Sequence, residues 1–544
     1  MIQDRLRIYD GWTQLEGGVD AGRAPTLIEP NQVESCENLT FRGGRPSPRP
    51  GFRQLTETLT NPNHGYDSSG LEYPPGVVVP NSESAQYCYK NDVFQCACAF
   101  TPHNGDDCIM ALIGGRFFRI VPMVNSAKVT EVVVTDANSP YSRPPVLQVP
   151  YRNNKFNPIA YMVQADKYLI AQDGFSKAII YDGKTARRAA IEGAPETVEV
   201  PTGTMMAYGM GRLVVIVNDR DVAFGDLYGS HMDVQTDPAD SIVLFTERNF
   251  LAGGFDAAIP FNQGIATGIQ FFPQLDTSTG NGQLLVFAER GAAAFNLAID
   301  RVLWQTSQFQ IIALITTGMR GHRSIVGANE DLWFRGDDGY RSFRQARSDS
   351  WGWAHIPLST NVGQFVDSDD KTLLRFASSI YFDNRIIGTC SPAWNTHMQT
   401  EVPPAIRGRV YHDGLVVVDF DILSAFGTKF KPTWEGHWTI GPNFTASLPN
   451  IKIAQLVTGT FKGVTRAFVF GIDTDNGNVN QLYELSFDDR EDFNGSIPWE
   501  MVSRAFDFRG GNQQTTQFTE NELYDGDIWL SQIAQGGIAP ENGS

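Results

Sequence analysis

The chain has 544 residues, 42% hydrophobic and 19% charged, with 52 Gly and 30 Pro. That is longer than one hydrophobic core usually grows, and too apolar to stay disordered. The formal net charge is −18 with a pI near 4.9, and no run of the sequence shows the basic patch usual in a general duplex-DNA binder. An acidic wall past which DNA slides would still gain from repelling phosphates, and the same charge also serves plain solubility. No run approaches the ~20 apolar residues that span a bilayer, so no membrane span is expected. The opening MIQDRLRIYDGW lacks an apolar stretch after its charges, so no signal peptide is expected either.

Residues 1–53 read as an extended N-terminal arm. Its centre, residues 17–52, opens on Gly17-Gly18, turns at Pro30-Asn31-Gln32 and holds a short strand at residues 39–41. Arg42-Gly43-Gly44 and Arg49-Pro50-Gly51-Phe52 close it. Glycines and prolines pin such a segment in extended and turn conformations. Residues 54–86 are polar and turn-rich, which predicts a surface loop or linker. From Tyr87 onward short apolar runs alternate with Gly, Asp and Asn, the pattern of many short strands. Residues 87–509 therefore form a β body with insertions, and 510–544 a polar C-terminal segment. Helical patterns are short, the best lying around Ile422 to Phe426.

A loose repeat runs through the body. Each unit is a turn, a polar or basic residue, then four or five apolar residues: DKYLIAQDG near 166, GRLVVIV near 211, GQLLVFAERG near 282, EDLWFRGDDG near 330, NRIIGTC near 384 and TRAFVFGID near 465. Separations of roughly 45 to 80 residues suit four-stranded propeller blades of ~40–50 residues, the longer ones carrying inserted loops or small subdomains. Asp173-Gly174 and Asp338-Gly339 mark hairpin corners. The expected fold is mainly β, a β-propeller-like ring of about five to seven blades with an extended N-terminal arm. The 35 Phe and 10 Trp would fill the wedges between blades, including Leu332-Trp333-Phe334 and Trp351-Gly352-Trp353.

Chemistry-bearing patterns are weak. Cys88, Cys96, Cys98 and Cys108 cluster, with Cys36 and Cys390 apart, but their spacing lacks the paired gaps of a zinc site. Reduced, buried thiols are expected. Residues 473–484 imitate a calcium loop, yet the required sixth-place glycine is Asn478, with Gly477 one position early, so a polar hairpin turn is expected. An irregular, weak Ca²⁺ site stays open there. Gly209-Met210-Gly211 lacks the third glycine of a dinucleotide fingerprint and leads into a strand. His412-Asp413 and Trp434-Glu435-Gly436-His437-Trp438 are the best places for a local acid–base pair; a turn residue and a satisfied histidine are the plainer readings. Ser348-Asp349-Ser350-Trp351-Gly352-Trp353 has the wrong spacing for the Asp-box of sialidase-like propellers. No catalytic, cofactor-binding or metal residue is nominated, no cofactor is expected, and the protein is read as a non-enzyme.

The 17–52 segment resembles the N-terminal segment of the tail nozzle proteins of short-tailed phages, also called tail tubular protein B-like proteins. Tyr208-Gly209-Met210-Gly211-Arg212-Leu213 with Phe224-Gly225-Asp226 is similar to that family too. So are residues 255–265 and 284–287, Asp331-Leu332-Trp333-Phe334 through Gly339-Tyr340-Arg341-Ser342, and residues 381–385. The resemblance implies a structural virion protein in the tail, made in the host cytoplasm and assembled as a ring, usually a homohexamer, below the head-to-tail adaptor. Tail fibres or spikes would attach outside, and phage DNA would pass through the lumen without sequence-specific binding. It also implies assembly roles for Gly17, Gly18, Asn38, Arg42, Gly43, Gly44, Arg49, Pro50, Gly51 and Phe52, on an arm that crosses a subunit boundary or threads along the propeller. The competing reading is a propeller-type polysaccharide depolymerase or glycan-binding tail protein.

Overall fold

The structure is a computed structural model. It describes residues 15–65, 77–135, 153–191, 198–230, 237–246, 253–272, 283–297, 301–304, 310–315, 317–343, 357–392, 410–423, 432–441, 451–474, 477–489, 491–492 and 495–505. Among these residues, seven sheets follow one another along the chain as the blades of a β-propeller. Their innermost strands are Phe94–Phe100, Tyr161–Ala165, Met206–Gly209, Ala266–Phe271, Val326–Ala328, Ser379–Phe382 and Ile451–Phe461. The ring is therefore at the upper end of the five to seven expected.

The repeat visible in the sequence is the second strand of blades 2 to 7, with a two-residue corner before it in blades 2, 3, 5, 6 and 7. Asp166, Met210, Asp383, Asn384 and Lys462 have φ between 51° and 55° at or beside those corners, and Asn329 and Glu330 have φ of 50° and 60°. Positive φ at such corners matches the right-handed twist of the flanking strands. The second strand of blade 1, Cys108–Ile113, lies outside the series and is joined to Phe94–Phe100 by residues 101–107.

The apolar runs are nearly continuous because both faces of each sheet are covered, as in other fully buried sheets. In the strand Leu284–Ala288, Leu284, Val286 and Ala288 pack toward blade 3, whereas Leu285 and Phe287 pack toward blade 5. The same alternation produces a hydrophobic cluster at each of the seven blade junctions. Aromatic rings bridge these wedges: Phe287 lies 5.0 Å from Phe334, Phe94 4.8 Å from Phe470, and Trp333 5.4 Å from Phe420. Each such buried ring contributes about 1.5–3 kcal/mol relative to exposure. Leu332, Trp333 and Phe334 are thus inter-blade core; Trp351 and Trp353 lie outside the described residues.

The N-terminal arm is woven into the ring. Its strand Gly51–Gln54 is the outer strand of blade 7, antiparallel to Val479–Ser486. The next strand, Thr56–Leu59, lies parallel to Ser126–Val132 at the edge of blade 1. One short stretch therefore ties the last blade to the first. Ser35–Glu37 extends blade 6, between Pro432–Trp438 and Glu500–Val502, so both described ends of the chain meet on that blade. Two local expectations change. Within 54–86, residues 56–59 are a strand whose Glu57 side chain is buried against Tyr89 and Lys90, and a helix, Ala85–Asn91, begins at 85, capped by the Ser84 hydroxyl on the Tyr87 amide. Ile422 belongs to the strand Gly414–Leu423, whose later part, VDFDI, alternates with period two; 424–426 and 510–544 lie outside the described residues.

Candidate functional site

The residues singled out in the arm converge on blades 6 and 7 and build a latch. Arg49 and Asp492, both with fully buried side chains, face each other at 2.7 Å. Arg49 uses every donor of its fork: Nε to Asn38 Oδ1 (2.9 Å), Nη1 to Pro50 O and Asp492 Oδ1, and Nη2 to Asp492 Oδ2 and Thr439 O. Asp492 also accepts the Phe52 and Gly441 amides, each at 3.0 Å. A buried pair this completely hydrogen-bonded offsets the desolvation of its charges. Phe52 sits in the cluster between blades 6 and 7, with the Arg49 guanidinium 4.8 Å from its ring centre.

The remaining arm residues serve the same attachment. Asn38, at φ 57°, receives the Thr439 amide on Oδ1 and donates Nδ2 to Thr439 Oγ1. Arg42 reaches Asp383, Asp419 and Asp421 of blade 6 at 2.7, 2.6 and 3.0 Å. Gly43 and Gly44, at φ 82° and 73°, turn the hairpin that joins Leu39–Thr40 to Ser47–Pro48. Gly18 has φ 63°, and a Cβ there would fall 2.3 Å from Trp434 O. At Gly17 a Cβ would meet the Gln32 side chain at 2.4 Å, and at Gly51 it would meet Glu491 O at 2.1 Å.

The acid–base candidates are engaged in this attachment or in the blade 6–blade 7 seam. Glu435 is buried and accepts from the Thr40 hydroxyl and Arg385. Burial raises its carboxyl, with Arg385 opposing and Asp419 adding to the rise. His437 Nδ1 lies 3.1 Å from Glu37, and its ring stacks on Phe365 at 5.2 Å. His412 is buried, which lowers its imidazole, and Nδ1 lies 3.3 Å from Ser391 Oγ. Asp413 is paired with Lys452 at 2.7 Å. Each group is an internal tie, so these pairs do not converge on a shared reacting position.

The other motifs resolve similarly. Met210 and Gly211 form the corner of a hairpin. Residues 473–484 span the end of Val464–Asp473, a turn with Gly477 and Asn478 at positive φ, and the strand Val479–Ser486. Glu484, at the twelfth place of the calcium-like loop, pairs with Arg466 at 2.5 Å. All six cysteines are free thiols; Cys98 is half-buried and the other five are buried. Burial pushes Cys96 and Cys98 up to about 12 and Cys108 up to about 11.

Two features gave no sequence signal. Gln455, on the inner strand of blade 7, clasps blade 1 by accepting the Ala97 amide (3.0 Å) and donating to the Ala97 carbonyl (2.8 Å). The second is a cavity of about 230 Å³ at the propeller axis, bordered by inner-strand residues of blades 1, 2, 4, 6 and 7 and by His322, Arg323 and Ile325. At ~30 Å³ per water it has room for about eight waters, far less than a nucleic-acid duplex needs.

No family model matches the chain, and no curated protein does. Among solved structures, the chain is similar to a chain in the crystal structure of BBS1N in complex with ARL6DN, soaked with lead. Identity is 10%, the alignment covers 73% of this chain and 97% of that one, and the TM-score is 0.35. The architecture rests on the blades themselves: the protein is a seven-bladed β-propeller closed by its own N-terminal segment.

Proposed function

We propose that this propeller is a structural subunit of a tailed-phage virion, forming the ring-shaped nozzle of a short tail. The observation that carries the reading is the resemblance of residues 17–52 to that family's N-terminal segment. In this chain that segment holds Asn38, Arg49 and Phe52, which fasten it to blades 6 and 7 in and before the strand that completes blade 7. The propeller is then a rigid wall element, and DNA passes between subunits, not along the propeller axis, where the cavity is about 230 Å³. An acidic chain of net charge −18 suits a wall that DNA must slide past without sticking. The adaptor would seat on one side of the ring and fibres or spikes on its outside.

Sedimentation and mass measurement of the purified full-length chain test the reading, with and without a tail extract of the same virion. A closed homo-oligomer, six subunits on this reading, is expected. A chain that stays monomeric in both conditions and depolymerises a capsular polysaccharide would overturn it.

A further inference from the structure

We propose that the axial cavity is a binding site for a small oxyanion, a phosphate or a short carboxylate, held by Arg323. The chain carries 61 acidic against 43 basic residues, yet no Asp or Glu occurs among the described residues lining this cavity, and Arg323 is its one Arg or Lys. Arg323 is half-buried, and a guanidinium partly withdrawn from water commonly takes a carboxylate partner. Arg323 instead donates Nη2 to two neutral carbonyls, Gln95 O and Ala160 O, the second at 2.7 Å. Those bonds pin the side chain between blades 1 and 2 and leave its positive charge without an acidic partner among the described residues. Burial accordingly lowers its guanidinium, relieved only by Cys96 and Tyr161.

The neighbouring groups are donors without negative charge. His322 Nδ1 accepts the Ile269 amide at 3.4 Å, which assigns the ring proton to Nε2. Burial holds His322 down to about 4, so it is neutral at pH 7. Tyr161 packs edge-on against His322, ring centres 5.6 Å apart, and the cationic groups acting on its hydroxyl are Arg323 and Arg375. Ser379 also lines the cavity, its hydroxyl 3.2 Å from the Tyr340 hydroxyl. A fixed cation ringed by neutral donors in a small polar space suits an oxyanion, whose charge-assisted hydrogen bonds are the strong kind. This site does not depend on the nozzle reading and survives its failure.

Isothermal titration of the full chain with inorganic phosphate, and separately with acetate, at pH 7 and low salt tests it. Saturable binding of either anion at one site per chain is expected, and which one binds assigns the class. Arg323→Met should weaken it by ~10-fold or more, and Tyr161→Phe, which leaves the carbonyl bonds of Arg323 intact, should weaken it several-fold. Arg23→Gln on the surface should leave it unchanged. Absence of saturable binding by both anions overturns the proposal, as does unaltered binding by Arg323→Met. If that variant does not fold, wild-type affinity in both Tyr161→Phe and Arg323→Lys overturns it equally.

Discussion

Replacing Arg49 by Met should destabilise the propeller by about 3–5 kcal/mol, the cost of breaking a fully buried ion pair from one side. Both side chains of the Arg49–Asp492 pair have no exposed surface. After the substitution Asp492 keeps the Phe52 and Gly441 amides but loses the cation that balances its charge. Asn38 Oδ1 and the carbonyls of Pro50 and Thr439 lose a donor as well. The double variant Arg49→Met/Asp492→Leu removes both charges, so its loss should fall short of the sum of the singles by about 2 kcal/mol or more. Urea unfolding followed by tryptophan fluorescence and far-UV circular dichroism measures each corner of the cycle, coincident transitions licensing the comparison. A single variant within about 0.5 kcal/mol of wild type, or strict additivity, would refute the view that this pair latches the ring.

Gln455→Leu leaves both the amide and the carbonyl of Ala97 without their clasp; a loss of about 1–3 kcal/mol in the same unfolding assay is expected. Gly18→Ala meets a left-handed backbone and a Cβ 2.3 Å from Trp434 O, so limited proteolysis should cut the N-terminal segment faster than in wild type. His322 has its folded pKa lowered to about 4, against ~6.5 unfolded. The unfolded chain therefore binds the extra proton first. The stability linked to His322 is complete above pH ~6.5 and is lost as pH falls toward about 4. His322→Gln should remove that part of the acid sensitivity, read as the difference between the two pH–stability curves. With Cys96, Cys98 and Cys108 pushed up to about 11–12 and Cys36, Cys88 and Cys390 buried, the native protein should resist a disulfide-exchange thiol reagent at pH 8. All six thiols should react in denaturant.

What was legible in the sequence is local. The inner hairpins show because a two-residue corner such as Asp383-Asn384 sits directly before an apolar run buried on both faces. The mainly β fold and the propeller follow from that repeat. The blade number was hidden by blade 1, whose second strand stands outside the repeat, and by blade 5, which has three strands among the described residues. The latch was half visible. Arg49 and Phe52 stood out, but Asp492 is 443 positions away in the two-residue strand Glu491–Asp492. Residues 56–59 read as linker because TETL is polar, and its buried Glu57 is satisfied by Tyr89 and Lys90 rather than by apolar packing. Gln455 and Arg323 carry no pattern at all. Each matters through contacts to backbone atoms of another blade, which side-chain periodicity cannot encode.

Electron-microscopy class averages of the native particle containing this chain test the central claim most directly. The account predicts a cyclic ring of propellers at the end of a short tail, its central lumen wide enough for duplex DNA and bounded by the sides of neighbouring subunits. An isolated propeller, or one found only at the tip of a fibre, would contradict it.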